Sequence, residues 1–204
     1  MSILLVRHGE TDNNAARVVQ MPDAPLSERG LAQAARLAAR LAGLGVEAIV
    51  ASDYARALAT AERVRMATGA PLEIWPELRE RHLGDLRGRA YADIGFDIFA
   101  PDYAPPGGES WAQFHERVAR AWERVRARSS QMRGNLAVIS HGLVCRSVVQ
   151  SLTPADASAK VPEAWGNTSL TVLGARPPHE IALLNCTAHL EDLEAPEPAV
   201  SGRA

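Results

Sequence analysis

Two segments of this chain end an apolar run in histidine and glycine. "ILLV" at Ile3–Val6 runs into Arg7, His8 and Gly9, and "LAVIS" at Leu136–Ser140 runs into His141 and Gly142. A third run, "AIVAS", ends at Ser52 and is followed by Arg56. Two histidines and two arginines together suit one chemistry. Planar guanidinium groups bind phosphate or carboxylate through paired hydrogen bonds, and their charge lowers the pKa of a neighbouring imidazole. A histidine kept neutral in this way is a nucleophile, and a phosphoryl group held by the arginines is open to in-line attack.

That chemistry requires strands lying side by side. Ile3–Val6, Glu47–Ala51 and Leu136–Ser140 read as buried strands, whose carboxyl ends share one edge in a parallel sheet. Pro71–Trp75 reads as a further strand, and Ser169–Leu173 with Ile181–Asn185 as a late hairpin. Ser27–Ala42 reads as a helix capped by Ser27, ended by Gly43 and Gly45, and carrying Leu31, Ala34, Ala35, Leu37, Ala38 and Leu41 on one face. Helices are also predicted over Ala55–Ala67, Glu109–Arg128 and Leu143–Leu152, the third burying Trp111, Phe114 and Trp122. The alternation predicts one α/β domain over residues 1–190, a mostly parallel central sheet with helices on both faces. Seven of the chain's ten aromatic residues fall between Gly84 and Trp122. They predict a small capping segment at about residues 85–110, a satellite core under a long loop or a cover over a pocket. The Glu-, Pro- and Ala-rich tail, 191–204, reads as disordered.

Composition narrows the partners. The chain has 204 residues, 47% hydrophobic and 23% charged, with a formal net charge of -2. That balance gives no global attraction to nucleic acid or to an acidic membrane. No apolar window reaches the ~20 residues of a membrane span, and Ile3–Val6 is too short for a signal peptide. Cys145 and Cys186 lie far apart and read as reduced, packed residues of a cytoplasmic protein. His8, Glu10 and Asp12 alternate as metal ligands on a strand do, but Gly9 ends that strand, so no metal and no cofactor is expected. Gly9 is read as permitting the turn and exposing a backbone N–H, and Glu10 as supporting that turn. The expected partner is a small-molecule phosphoester, and nothing in the sequence sets an oligomeric state.

Beyond the residue chemistry, "RHGETDNN" from Arg7 resembles the signature of the histidine phosphatase superfamily, which includes the cofactor-dependent phosphoglycerate mutases. "DAPLSERG", "ASDYARALATAE", "LRERHLGDLRG", "PPGGES", "SHG", "NTS" and "LNCTAHL" follow in family order, so the resemblance spans nearly the whole chain. It implies a phosphoglycerate mutase-like fold with His8 as the nucleophile that becomes phosphohistidine. Arg7, Arg56 and His141 would hold the transferring phosphoryl group with Asn14 nearby. Glu80 would protonate the leaving oxygen and later activate water. Gln20, Gly142, Arg81 and His82 are candidates for contact with substrate. Two neighbouring arginines should lower the Glu80 pKa, and a bound phosphate dianion should raise it again.

The same phosphohistidine can pass its phosphoryl group to water or to a second hydroxyl. Hydrolysis is favoured by the short segment between Gly88 and Gly108, by "PPGGES", "NTS" and "LNCTAHL", and by Leu143 where mutases carry Asn. The "ERHLGDLRG" stretch is closer to the mutase pattern. Mutase activity is therefore the alternative, and a phosphoester-binding module without turnover is the second. Leu86 and Arg87 replace the family's aromatic–acid pair, Met21 and Pro22 its glycine–aromatic pair. Arg87 and Arg89 read as solvated loop charges or as contacts for a second anionic group. His115 is assigned to surface or packing, His179 to solvent, and His189 to a structural hydrogen bond.

Overall fold

Alternation along the strands decides which side chains reach which face of the sheet. The computed structural model describes residues 1–152, 161–191 and 193. Six strands lie in the order β3-β2-β4-β1-β5-β6: β1 (Ser2–Arg7), β2 (Val46–Ala51), β3 (Leu72–Ile74), β4 (Asn135–Ser140), β5 (Leu170–Gly174) and β6 (Ile181–Cys186). β1, β4, β2 and β3 are parallel neighbours, while β5 and β6 extend the sheet beyond β1 as antiparallel strands. Ile3, Leu5, Val50, Leu136 and Val138 pack on one face, against α4 (Trp111–Ser130) and α5 (Gly142–Leu152). Leu4, Val6, Ile49, Ala137 and Ile139 pack on the other, against α2 (Glu28–Ala42) and α3 (Ala55–Thr68). The expected mostly parallel sheet covered on both faces is the observed one.

The helices begin where local chemistry allows. Ser27 Oγ accepts the Gly30 N–H at 3.0 Å, and Gly43 ends α2. Leu37 and Leu41 are fully buried, each contributing about 1.5–3 kcal/mol. The buried face is set one step round from expectation: Gly30, Gln33, Ala34, Leu37, Ala38 and Leu41 point inward, leaving Leu31 and Ala35 exposed. Gly30 is the cause. A β-carbon there would lie 2.0 Å from the Glu10 carbonyl oxygen, so α2 is pressed backbone to backbone on the turn after β1. Leu31 sits about 100° away round the helix.

α4 opens with a capping box: Ser110 Oγ accepts the Gln113 N–H at 3.2 Å, and Gln113 Oε1 accepts the Ser110 N–H at 2.9 Å. Phe114 and Trp122 are buried, whereas Trp111 is half-buried with the Arg81 guanidinium 3.9 Å above its ring. His179, expected in solvent, is buried instead. Its hairpin turn folds back onto α4, where the ring meets Trp122 edge-on and Nδ1 donates to the Gly174 carbonyl at 2.8 Å.

The capping segment has a small core of its own, formed by Val19, Leu83, Leu86, Ile94 and Ile98 with Tyr91 and Tyr103 packed against it. The bridge between Val18 and Ala90 and backbone hydrogen bonds from Gly88 N–H to the Val19 carbonyl and from Val19 N–H to the Arg89 carbonyl tie it to the loop after α1 (Asp12–Ala15). Leu86, where the family carries an aromatic residue, belongs to this core. The expectation of a disordered tail concerns residues that, apart from Glu191 and Leu193, lie outside those described. Among the described residues no helix is long and apolar enough to cross a membrane.

Candidate active site

Register places the strand ends together. Arg7 of β1 stands opposite Ser140 of β4, and Ala51 of β2 stands opposite Ile139, so His8, His141 and Ser52 leave three adjacent strands side by side. Strand alternation then turns Arg7 towards α5 and His8 towards α3. The His8 and His141 rings meet edge-on with centroids 5.1 Å apart.

His8 is nearly fully buried and its hydrogen bonds define its tautomer. Nδ1–H donates to the Gly9 carbonyl at 2.6 Å, leaving Nε2 unprotonated, and it accepts the Arg56 Nε–H at 3.1 Å. Burial, followed by the charges of Arg56 and Arg7, holds the imidazole well below its usual pKa. Its backbone is held as tightly. The His8 N–H donates to the Ser140 carbonyl at 2.9 Å, and its carbonyl accepts from the Thr168 N–H and the Asn167 Nδ2, both at 3.2 Å. Thr168 reaches this position with φ 53, and its Oγ1 meets His189 Nε2 at 3.1 Å. His189 Nδ1 lies 3.1 Å from Arg40, and burial with that charge lowers its pKa to about 4. The "NTS" segment and His189 thus hold the His8 backbone. Cys186, expected to pack as a small hydrophobe, is half-exposed, and its Sγ faces both terminal nitrogens of Arg40 at 3.5 Å.

Arg56 is buried in the first turn of α3. Burial lowers its pKa to about 10, so the guanidinium remains charged at neutral pH. One terminal nitrogen donates to the Met21 carbonyl at 3.0 Å, a backbone contact indifferent to the side chain at that position. Arg7 donates one terminal nitrogen to the Trp165 carbonyl. His141 Nε2 lies 2.9 Å from Ser52 Oγ, which also accepts the Tyr54 N–H; in the tautomer whose Nε2 accepts the serine proton, Nδ1 carries the N–H. Among the described residues, the buried Arg7 Nε and His141 Nδ1 have no hydrogen-bond partner. Two orphaned donors beside a neutral imidazole fit an oxyanion.

Glu80 faces the same cavity. Its carboxylate oxygens accept the Arg81 N–H at 3.0 Å and the N–H of Leu143, in the first turn of α5, at 3.1 Å. Burial outweighs these bonds and the charges of Arg56 and Arg7, so its pKa is raised. The sequence argument had the arginines dominating until phosphate binds; desolvation reverses that balance in the free protein. A half-buried ion pair supports the loop. Arg117 grips Glu109 at 2.7 Å through both oxygens and donates to the carbonyls of Glu77 and Arg79 at 2.8 and 2.9 Å. Glu109 in turn accepts the His82 N–H at 2.9 Å.

The cavity shared by Arg7, His8, Arg56 and Glu80 has a volume of about 410 Å³, whereas His141, fully buried against the His8 ring, is not on its wall. Asn14, Gln20, Gly142 and Arg81 line it together with Arg7, His8, Arg56 and Glu80. Arg81 reaches it with its guanidinium already committed to the carbonyls of Glu109, Ile98 and Tyr103. His82 lies outside the wall: Nδ1 accepts the Gly84 N–H at 2.9 Å and Nε2 faces Arg87 at 2.8 Å. The Gly9 N–H, read from sequence as exposed, is taken by Thr60 Oγ1 at 3.0 Å. Gly9 serves close packing, since a β-carbon there would meet the Gly30 carbonyl at 2.6 Å. Glu10 turns away to Ser27 and Arg29, and among the described residues no cluster of His, Cys, Asp or Glu could hold a metal ion. Arg87 lines the cavity while bonded to His82 and Tyr54, whereas Arg89 points outward to the Asp93 carbonyl. Tyr54 was missed by the sequence reading. Its ring lies 5.3 Å from His141 and 5.1 Å from the Arg56 guanidinium, and only its place two residues after Ser52 marked it.

The family model for the histidine phosphatase superfamily (branch 1) matches residues 3–187. An Arabidopsis thaliana protein named phosphoglycerate mutase-like protein 4 is 34% identical over 184 residues, covering 83% of this chain and 77% of that protein. The metal-independent phosphoserine phosphatase of the same plant is 34% identical over 183 residues, covering 81% of this chain and 74% of its own. The solved structure of Bacillus stearothermophilus YhfR superposes with a TM-score of 0.79 at 32% identity, covering 93% of this chain and 99% of that one.

Proposed function

The chain belongs to branch 1 of the histidine phosphatase superfamily, and on that premise we propose that it hydrolyses small phosphomonoesters through a phosphohistidine at His8. The observation that carries this reading is the His8 imidazole, neutral, with an unprotonated Nε2 that accepts from Arg56 Nε–H. Arg7, Arg56 and His141 Nδ1–H bind the phosphoryl oxygens, and Arg56 Nε–H moves from His8 to one of them. Nε2 then attacks phosphorus in line as the bond to the leaving oxygen breaks, and the protonated Glu80 carboxyl gives its proton to that oxygen. In the second step the Glu80 carboxylate takes a proton from water as the water attacks phosphohistidine. Inorganic phosphate leaves, and His8 and Glu80 return to their starting protonation states.

Relatives carry both phosphatase and mutase names, so the acceptor decides between the readings. Water is favoured by the short capping segment and by a cavity partly open at Phe99, which is 46% exposed. Incubation with a phosphomonoester panel and chelator, in water enriched in ¹⁸O, is expected to release labelled inorganic phosphate. His8→Ala is expected to abolish both release and the acid-labile phosphoenzyme. Efficient interconversion of 2- and 3-phosphoglycerate dependent on the bisphosphate would replace this reading with the mutase. Tight phosphoester binding with no turnover on any ester would replace it with a binding module.

A further inference from the structure

The arginines lining the cavity differ in what already holds them. Arg7 and Arg56 belong to the phosphoryl cluster, and Arg81 and Arg87 are bound to protein groups. The guanidinium groups of Arg17 and Arg146 make no hydrogen bond or ion pair among the described residues, although both residues line the wall. Glu80 and Glu163 are the carboxylates on that wall, and Glu80 has a raised pKa, so the lining is strongly cationic.

Arg17 is also held in an unusual conformation. Its φ is 54, in the region where glycine or asparagine is the relaxed choice. The cause is local: the Arg17 carbonyl accepts the Tyr91 N–H at 2.9 Å, and Val18 bridges to Ala90, so docking of the cap fixes the backbone. A long cationic side chain at a position suited to glycine is a strained choice, and strain of this kind is characteristic of functional positions.

The rest of the wall connects the two cations. Arg17 lies near enough to Tyr91 for its charge to act on the phenol. Tyr91 stacks on Phe99, with centroids 6.2 Å apart and planes 19° apart. Phe99, Leu143 and Arg146 are shared with a second cavity of about 340 Å³. A wall running Arg17, Tyr91, Phe99, Arg146 therefore leads from the phosphoryl cluster into further space. We propose that the substrate's leaving group has a planar or apolar body lying on Tyr91 and Phe99 and carries a second oxyanion, bound by Arg17 and Arg146. The inference rests on the phosphomonoester reading of the cavity and names the class of ester.

The test compares phenylphosphonate with 4-carboxyphenylphosphonate by calorimetric titration of the intact protein. The carboxylated probe is expected to bind roughly tenfold tighter, the worth of one charge-assisted hydrogen bond. Arg17→Gly and Arg146→Gln should each remove most of that preference, and Arg17→Gly should do so with Tm equal to or above that of the wild type. Arg89→Gln, which changes a loop charge outside the wall, should keep the preference. Equal affinity for the two probes, or the same loss in Arg89→Gln, would overturn the inference. Turnover of the matching phosphates separates the two readings. Preference without hydrolysis of either ester upholds the second oxyanion and refutes the hydrolase, whereas hydrolysis of both without preference does the reverse.

Discussion

Two backbone N–H groups and two arginines draw the Glu80 carboxyl towards its ionised form, and burial draws it further the other way. The sign matters for catalysis. A general acid must hold its proton, so activity should fall as pH rises through the raised Glu80 pKa, giving an alkaline limb. Bound phosphate dianion adds negative charge beside the carboxyl, which places that limb at higher pH in kcat than in kcat/KM. Superimposable profiles between pH 5 and 9 would refute the coupling. Glu80→Gln cannot transfer a proton in either step and should lower kcat by roughly 10²–10⁴-fold on esters with poor leaving groups. At this scale the sequence revealed Arg7, His8 and His141, because an apolar strand ending in these residues is hard to explain otherwise. Arg56, on the helix after a third such strand, joined that cluster by the same reading, whereas Glu80 took its role from the family resemblance. The protonation bias of Glu80 was illegible, since desolvation depends on what surrounds a carboxyl and not on its neighbours in the chain.

The elements that carry these residues meet at a close backbone crossing. Gly9 follows β1 into the turn beside His8, and Gly30 opens α2 against that turn. A methyl at Gly30 would lie 2.0 Å from the Glu10 oxygen and 2.8 Å from its carbonyl carbon, and neither is a flexible side-chain end. Gly30→Ala should therefore cost about 1–3 kcal/mol, read by urea unfolding, and lower kcat by displacing the segment after His8. Gly43→Ala, where nothing lies within 4 Å and the backbone is right-handed, should change stability by less than about 0.5 kcal/mol. Equal losses in both variants would refute the crossing as the cause. Periodicity revealed the spans of α2, α3 and α5 to within two residues, and continuous apolar runs revealed strands buried on both faces. It misplaced Leu31 because the crossing, a tertiary contact, rotates the buried stripe. It likewise misread His179, whose burial against Trp122 depends on a hairpin folding back across α4.

Across the whole molecule, the active site makes the fold sensitive to acid. His8 and His141 are buried with pKa values well below the usual 6.5, the first cause being burial and the next the charge of Arg56. The unfolded chain takes up those two protons near pH 6.5, and the folded protein does not. Stability linked to these groups is thus fully present above pH 6.5 and is lost as pH falls towards the folded-state values. Glu80 acts in the opposite sense: its raised pKa lets the folded state bind a proton first, which offsets up to one of the two. Between about pH 6 and 5 these three groups leave a difference of roughly one to two protons, or about 1.4–2.7 kcal/mol per pH unit, and His189, lowered to about 4, adds close to one more proton in the same direction. Urea unfolding at several pH values between 7.5 and 5 should show this decline beginning near pH 6.5. His141→Gln, which keeps a polar side chain but cannot titrate, should flatten the decline by about one proton while lowering activity, since the proposed mechanism uses the same imidazole to bind the phosphoryl group. An unchanged slope in His141→Gln would mean that this imidazole does not enter the fold uncharged, and the neutral pair at the strand ends would be refuted with it.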